Sequence, residues 1–207
     1  INSVAVDSAK KLVGQRTVLL GASTHESEED VLLNLFHDLR LMFPNLLLIL
    51  APRHMNRIGR VNSMALKHGF NPELFSKTDS LSADKNILII DKMGLLPSIY
   101  CCSHLAFVGG SLVPLGGHNM LEGVRAGCPI IMGPFIENIE DIVRDFEENG
   151  GMSIVKDSSA LKKEVKRLMS DSSLRSQMRL AANAILEANK GSLKITELGI
   201  VNAINGN

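Results

Sequence analysis

An α/β fold built on a doubly wound parallel sheet of about six strands is predicted by three observations. Short runs of branched apolar residues alternate with longer stretches of helical period, the pattern of successive βαβ units. The 207 residues are 45% hydrophobic and 21% charged, which supports a sizeable core in one domain. A cluster of glycines falls where one apolar run ends and a helical stretch begins, the place where such sheets take ligands.

The apolar runs predict strands over residues 17–20, 46–51, 87–90, 105–108, 129–132 and 153–155. A helix over 26–43 separates the first two, with Val31, Leu35, Leu39 and Met42 on one stripe. Glu26, Glu28, Glu29 and Asp30 crowd its first turns, where acids favour the positive end of the helix dipole, and Pro44 stops it. Further helices fit 54–68, 95–102, 119–126, 139–148 and 159–169, while 71–85 reads as an irregular surface connection. From 171 to 207 the chain reads as a helical extension of two helices. The first carries Leu174, Met178, Ala181, Ala182, Ile185 and Leu186, and the second runs over 192–204.

Composition excludes several classes of function. Lys and Arg total 22 and Asp and Glu total 22, so no global field recruits nucleic acid or an anionic membrane. The longest apolar run, 46–51, falls far short of the roughly 20 residues that span a bilayer. Cys101, Cys102 and Cys128 are odd in number and lack metal-ligand spacing, the pattern of reduced, buried cysteines in a cytoplasmic protein. The chain opens at Ile1 without a signal-peptide pattern, as expected of a piece of a longer protein.

The glycine-rich stretch supplies Gly109, Gly110, Ser111, Gly116, Gly117 and His118 as a candidate phosphate loop. Glycines permit positive φ and close approach of a ligand to the main chain, and the helix that follows offers unpaired N–H groups to an anion. A tight turn alone would need only two of the glycines. The junction after the first strand reads Gly21-Ala-Ser-Thr-His25 instead of G-x-G-x-x-G, and no P-loop occurs, which argues against dinucleotides and nucleoside triphosphates. Glu122, one turn after Asn119, is placed to accept hydrogen bonds from ribose, with favourable dipole placement as the alternative. Arg53 projects from the end of the second predicted strand toward the same edge and suits bidentate contact with phosphate. Met93 and Gly94 follow the third strand, where a base could pack. Thr24 or Ser27 suits a helix N-cap, and His25 and Glu26 could face the cleft. No D-x-D motif argues for a divalent cation, so neither a metal nor a cofactor is expected.

Taken together, residues 21–29, the stretch 44–54 ending in Pro52-Arg53-His54, Asp91-Lys92-Met93-Gly94 and the stretch 107–122 ending in His118-Asn119-Met120-Leu121-Glu122 resemble the C-terminal half of 3-deoxy-D-manno-octulosonic acid (Kdo) transferases. The resemblance covers residues 17–155. It implies a Rossmann-like C-terminal half of a GT-B glycosyltransferase, inverting and metal-independent. Such an enzyme takes CMP-Kdo as donor and transfers Kdo to a lipid A precursor in lipopolysaccharide biosynthesis. It implies CMP contacts from Pro52 and Arg53, from Met93, Gly94 and Leu95, and from Asn119, Met120, Leu121 and Glu122. Leu95 stands where the family's pattern has an acid, and Met120 where proline or leucine is commoner. The catalytic base, acceptor site and membrane-associating segment belong to an N-terminal domain that 207 residues cannot accommodate, so the chain is expected to be inactive alone, with its full-length protein at the cytoplasmic face of the inner membrane. Two other readings compete: a UDP-sugar 2-epimerase-like GT-B domain, and a nonenzymatic nucleotide-binding or scaffold module whose last helices dock a partner.

Overall fold

The computed structural model describes residues 3–205, with side chains through residue 189. All seven strands are parallel: β1 (Thr17–Thr24), β2 (Leu46–Pro52), β3 (Pro72–Leu74), β4 (Ile87–Ile89), β5 (Leu105–Val108), β6 (Ile130–Met132) and β7 (Ser153–Ile154). Their order is β3-β4-β2-β1-β5-β6-β7. The chain therefore builds outward from β1 on one side, then crosses back to place β5 on the other side of β1. That reversal is the topological switch point at which loops diverge and a crevice opens.

Alternation along the strands explains why both faces are covered. In β2, Leu47, Ile49 and Ala51 enter one core while Leu46, Leu48 and Leu50 enter the other. The second core takes Leu32, Leu35, Phe36 and Leu39 of α2 (Glu28–Met42), Val61 and Ala65 of α3 (Ile58–Lys67) and Leu161, Val165 and Leu168 of α7 (Ser158–Ser170). The first is covered by α1 (Ser3–Val13), α4 (Leu96–Tyr100), α5 (Leu121–Arg125), α6 (Glu140–Glu148) and the start of α8 (Ser172–Asn205), through residues including Leu12, Tyr100, Val124, Phe146 and Ala182.

Several sequence expectations need correction. The buried stripe of α2 is Leu32-Leu35-Phe36-Leu39: Leu35 and Leu39 lie on it as expected, but Met42 is exposed and Val31 only half-buried, with Leu32 and Phe36 taking their part. The connection 71–85 contains the edge strand β3, whose Pro72 pairs in register with Ile87 at the sheet margin, where a missing N–H is tolerated. The helix α1 was not anticipated; Ala9, Leu12 and Val13 bury it against the sheet. A single helix runs from Ser172 to Asn205 where two were expected, because an isolated glycine such as Gly191 or Gly199 weakens a helix without by itself breaking it. Cys128 is buried, but Cys101 and Cys102 are only half-buried.

Candidate functional site

Gly109 follows β5 directly and its N–H donates to Ala22 O of β1 at 2.8 Å. A Cβ there would lie 2.5 Å from Ser23 O and 2.7 Å from Thr24 Cα, both backbone atoms, so only glycine lets the two loops meet at the switch point. Across this seam Ser23 and Ser27 hold positive φ, 52° and 74°, on either side of His25. Non-glycine residues in that region store strain, which persists only where surroundings over-determine the backbone.

The over-determining group is Glu28, which is 1% exposed. Its Oε2 accepts from the His25 and Gly110 amides, each at 2.9 Å, and its Oε1 from the Ser111 and Leu112 amides at 3.1 and 3.0 Å. One carboxylate thus clamps the β1–α2 loop to the glycine loop. This corrects the expectation that these amides face a phosphate, since the loop folds around a carboxylate of its own chain. Ser111 is equally internal: its hydroxyl donates to Val108 O and accepts from the Gly133 amide at 2.8 Å, tying the end of β5 to the end of β6. The Gly117 and His118 amides turn back onto Gly110 O and Gly109 O, and a Cβ at Gly116 would run into the Asn138 side chain.

Glu29 beside it is fully buried and salt-bridged to Arg57 through both oxygens, at 2.6 and 3.2 Å, and accepts from Thr24 Oγ1 at 3.1 Å. Neither Thr24 nor Ser27 caps α2 with its side chain, so the N-cap expectation for those hydroxyls does not hold. Thr24 is instead spent on Glu29. Glu28 and Glu29 thus do more than complement the helix dipole.

What these clamps present outward is an imidazole cluster. His25 Nε2 and His118 Nε2 lie 2.6 Å apart with their rings stacked, and the His54 ring meets His25 edge-on at 5.4 Å between centroids. His25, His54 and His118 come from the ends of β1, β2 and the loop after β5. Burial depresses the His25 pKa, aided by the neighbouring His54. Burial also pulls His118 down to about 4, with His25, Arg53 and His54 adding to the effect. Two facing nitrogens at hydrogen-bond distance require one to donate and the other to accept, so the pair shares at most one bridging proton while uncharged. Sequence reasoning singled out His25 and His118 separately and gave His54 no role of its own; their convergence follows from strand order, which spacing along the chain does not reveal.

Arg53 hydrogen-bonds through its backbone N–H to Thr24 O at 2.9 Å, leaving its side chain exposed beside the imidazoles. Met93 is 82% exposed and Gly94 has φ 78°, which turns the chain out of β4 into the approach to α4. Asp91 secures that turn by accepting from the Ser76 amide at 2.8 Å and from the Ser76 hydroxyl. Asn119 lies before Met120, the N-cap of α5, and its Oδ1 accepts from the Leu121 amide at 2.9 Å, so Asn119 and Glu122 do not share a helix face as expected. Glu122 is exposed, Leu95 and Leu121 are half-buried, and the Pro52 side chain is buried. The Met120 side chain is 1% exposed in the core, which leaves only its backbone for a ligand. Strands β4, β2, β1 and β5 are consecutive neighbours, so residues 52–53, 93–95 and 119–122 all flank one continuous carboxyl edge around the imidazole cluster.

Residues 13–185 match the family of glycosyl transferases group 1. The chain is 34% identical over 191 residues to the 3-deoxy-D-manno-octulosonic acid transferase of Haemophilus influenzae, covering 91% of this chain and 45% of that protein. It is 31% identical over 160 residues to the enzyme of the same name from Aquifex aeolicus, covering 77% of this chain and 43% of that protein. It therefore spans less than half the length of these relatives. Among solved structures, the C-terminal CMP-Kdo binding domain of WaaA from Acinetobacter baumannii superposes with a TM-score of 0.84 at 27% identity, covering 89% of this chain and 99% of that one. The chain belongs to the group 1 glycosyl transferases, and its fold is that of the C-terminal domain of a GT-B enzyme.

Proposed function

We propose that this group 1 glycosyltransferase domain is the donor-binding half of a Kdo transferase, that it binds CMP-Kdo, and that its full-length protein delivers Kdo to a lipid A precursor at the cytoplasmic face of the inner membrane. The observation that carries the reading is the likeness over nearly the whole of a domain described as CMP-Kdo binding, at a TM-score of 0.84. In this reading residues 1–207 form one donor domain with α8 as its helical extension, and the acceptor site and catalytic base lie in the N-terminal part of the full-length protein.

CMP would then lie along the carboxyl edge, between Pro52-Arg53, Met93-Gly94-Leu95 and the backbone and side chains of 119–122, with Glu122 receiving ribose hydroxyls. The phosphate meets Arg53 and the imidazoles of His25, His54 and His118 above the glycine turn, because Glu28 already holds the amides of Gly110 and Ser111. Negative charge developing on the departing CMP is stabilised by the Arg53 guanidinium, a preorganised cation at the place where charge grows. Transfer is an inverting displacement that needs no metal ion, with the attacking hydroxyl deprotonated by a carboxylate of the N-terminal part.

Calorimetric titration of the isolated chain tests the reading. CMP binds with preference over UMP and AMP, and Arg53→Ala weakens CMP by about tenfold while the exposed side chain leaves folding unchanged. Preference for UMP or AMP, or full affinity in Arg53→Ala, refutes it.

A further inference from the structure

At the opposite edge of the sheet, where the strands begin, the C-terminal end of α1, the segment before β5 and the start of α8 enclose a cavity of about 360 Å³. Lys10, Arg16, Arg175 and Arg179 line it together with His104 and three serines, and no Asp or Glu does. Asp171, just outside the lining, acts on Arg175, but the four cations still leave an excess of positive charge at the cavity that an arriving anion would offset.

Two of the cations are fixed in advance. The Arg16 guanidinium donates to Lys85 O at 2.7 Å, Leu81 O at 2.8 Å and Val13 O at 3.3 Å. Arg175 donates to Leu168 O and to Met169 O. Carbonyl partners orient these groups without cancelling their charge, and burial lowers the pKa of both, the sign of a positive charge held at a cost. The other two are available: among the described residues the side chain of neither Lys10 nor Arg179 makes a hydrogen bond or ion pair, and both residues are exposed. The fifth group is a neutral donor. His104 Nδ1 accepts from the Val18 amide at 3.1 Å, which places the ring proton on Nε2, and burial followed by the Arg175 charge lowers the ring's pKa.

We propose that this cavity is a second anion site, specific for a phosphomonoester. A tetrahedral dianion offers several acceptor oxygens to the preset guanidiniums, and the volume leaves room for a small organic group on the phosphate. The site is separate from the donor edge by the length of the eight-residue strand β1, about 25 Å.

Titration of the 15N-labelled chain with inorganic phosphate, against sodium chloride of equal ionic strength, reads the site directly. Saturable shifts are expected at the Ser103, His104 and Ser172 amides with a Kd of about a millimolar or tighter, persisting when CMP is present. The double variant Lys10→Glu/Arg179→Glu weakens phosphate by at least about tenfold while its urea midpoint and CMP affinity match the parent. Shifts that chloride reproduces, shifts centred on His25 and Arg53, or parental phosphate affinity in the double variant overturn the proposal. Phosphatidylcholine vesicles with and without phosphatidic acid identify the source. Sedimentation that needs phosphatidic acid, Lys10 and Arg179 assigns the phosphate to a lipid headgroup, and phosphate binding without sedimentation assigns it to a soluble phosphomonoester. A failure of CMP to bind leaves these outcomes unaffected, so the two readings fail separately.

Discussion

Glu28→Gln isolates the clamp at the switch point. The amide is isosteric with the carboxylate, but its nitrogen end can only donate. Either the His25 and Gly110 amides or the Ser111 and Leu112 amides must then face a donor. Hydrogen bonds to a charged group contribute about 1.5–3 kcal/mol each, and a buried donor left unpaired costs about 1–3 kcal/mol. With two bonds lost in a site 1% exposed, and partial relaxation of the loops, the expected destabilisation is about 3–5 kcal/mol. For a domain whose whole stability is about 5–15 kcal/mol this is a large share. Urea unfolding followed by far-ultraviolet circular dichroism reads it as a fall in midpoint of about 2 M, taking a slope of about 2 kcal/mol/M. Glu28→Ala, which strands all four amides, falls further. A Glu28→Gln midpoint within about 0.5 M of the parent would show that water or a shifted loop satisfies those amides, and the clamp would have to be abandoned.

Arg57→Ala leaves the fully buried Glu29 without its bidentate partner and is expected to cost about 3–5 kcal/mol; the double variant Glu29→Met/Arg57→Met recovers most of this in the same urea assay. Gly109→Ala puts a Cβ 2.5 Å from the Ser23 carbonyl oxygen, which is backbone and cannot swing aside; a loss of at least about 3 kcal/mol in thermal unfolding is expected, and a smaller loss would mean that the loops separate easily. The depressed pKa of His118 links to stability with a defined sign. Between its ordinary 6.5 and about 4 the unfolded chain binds the proton that the folded one refuses, so stability falls as pH drops through that window. His118→Gln flattens the pH dependence of the unfolding free energy, read by urea titration between pH 7 and pH 4.5, by about 1 kcal/mol after allowance for solvent screening, and an unchanged profile contradicts the assignment.

The parallel α/β architecture was legible because strands buried on both faces have to read as continuous apolar runs, as β2 does from Leu46 to Ala51. Strand β3 was not legible: three residues beginning with proline carry no period, and their place is set by pairing with β4. The carboxyl edge was legible for a related reason, since residues after apolar runs must emerge there, and Arg53, Met93 and the glycine stretch all do. What those residues touch was not. Glu28 and Glu29 sit among four acids at a helix start and look alike in sequence, yet two face inward and are consumed by backbone amides and by Arg57. Only the fold brings residues 82 to 84 positions away onto Glu28.

The two buried carboxylates also decide what kind of anion site the carboxyl edge can be. Acids directly beneath a phosphate would repel it if their charge reached the surface. Here each is answered from its own side: four amides converge on Glu28, and the Arg57 fork closes on Glu29. The Glu29 charge still reaches His25, where the Arg57 charge acts in the opposite sense, and the surface above carries Arg53 and three imidazoles. Burial and neighbouring charge lower the pKa of His25 and His118, so the resting edge avoids the self-repulsion that two more cations beside Arg53 would bring. An arriving phosphate reverses that balance, because each negative oxygen favours the protonated ring. In the proposed donor site, His25 and His118 would gain positive charge only when the phosphate is there to receive it. Lysines in the same places would hold their charge throughout, with or without an anion.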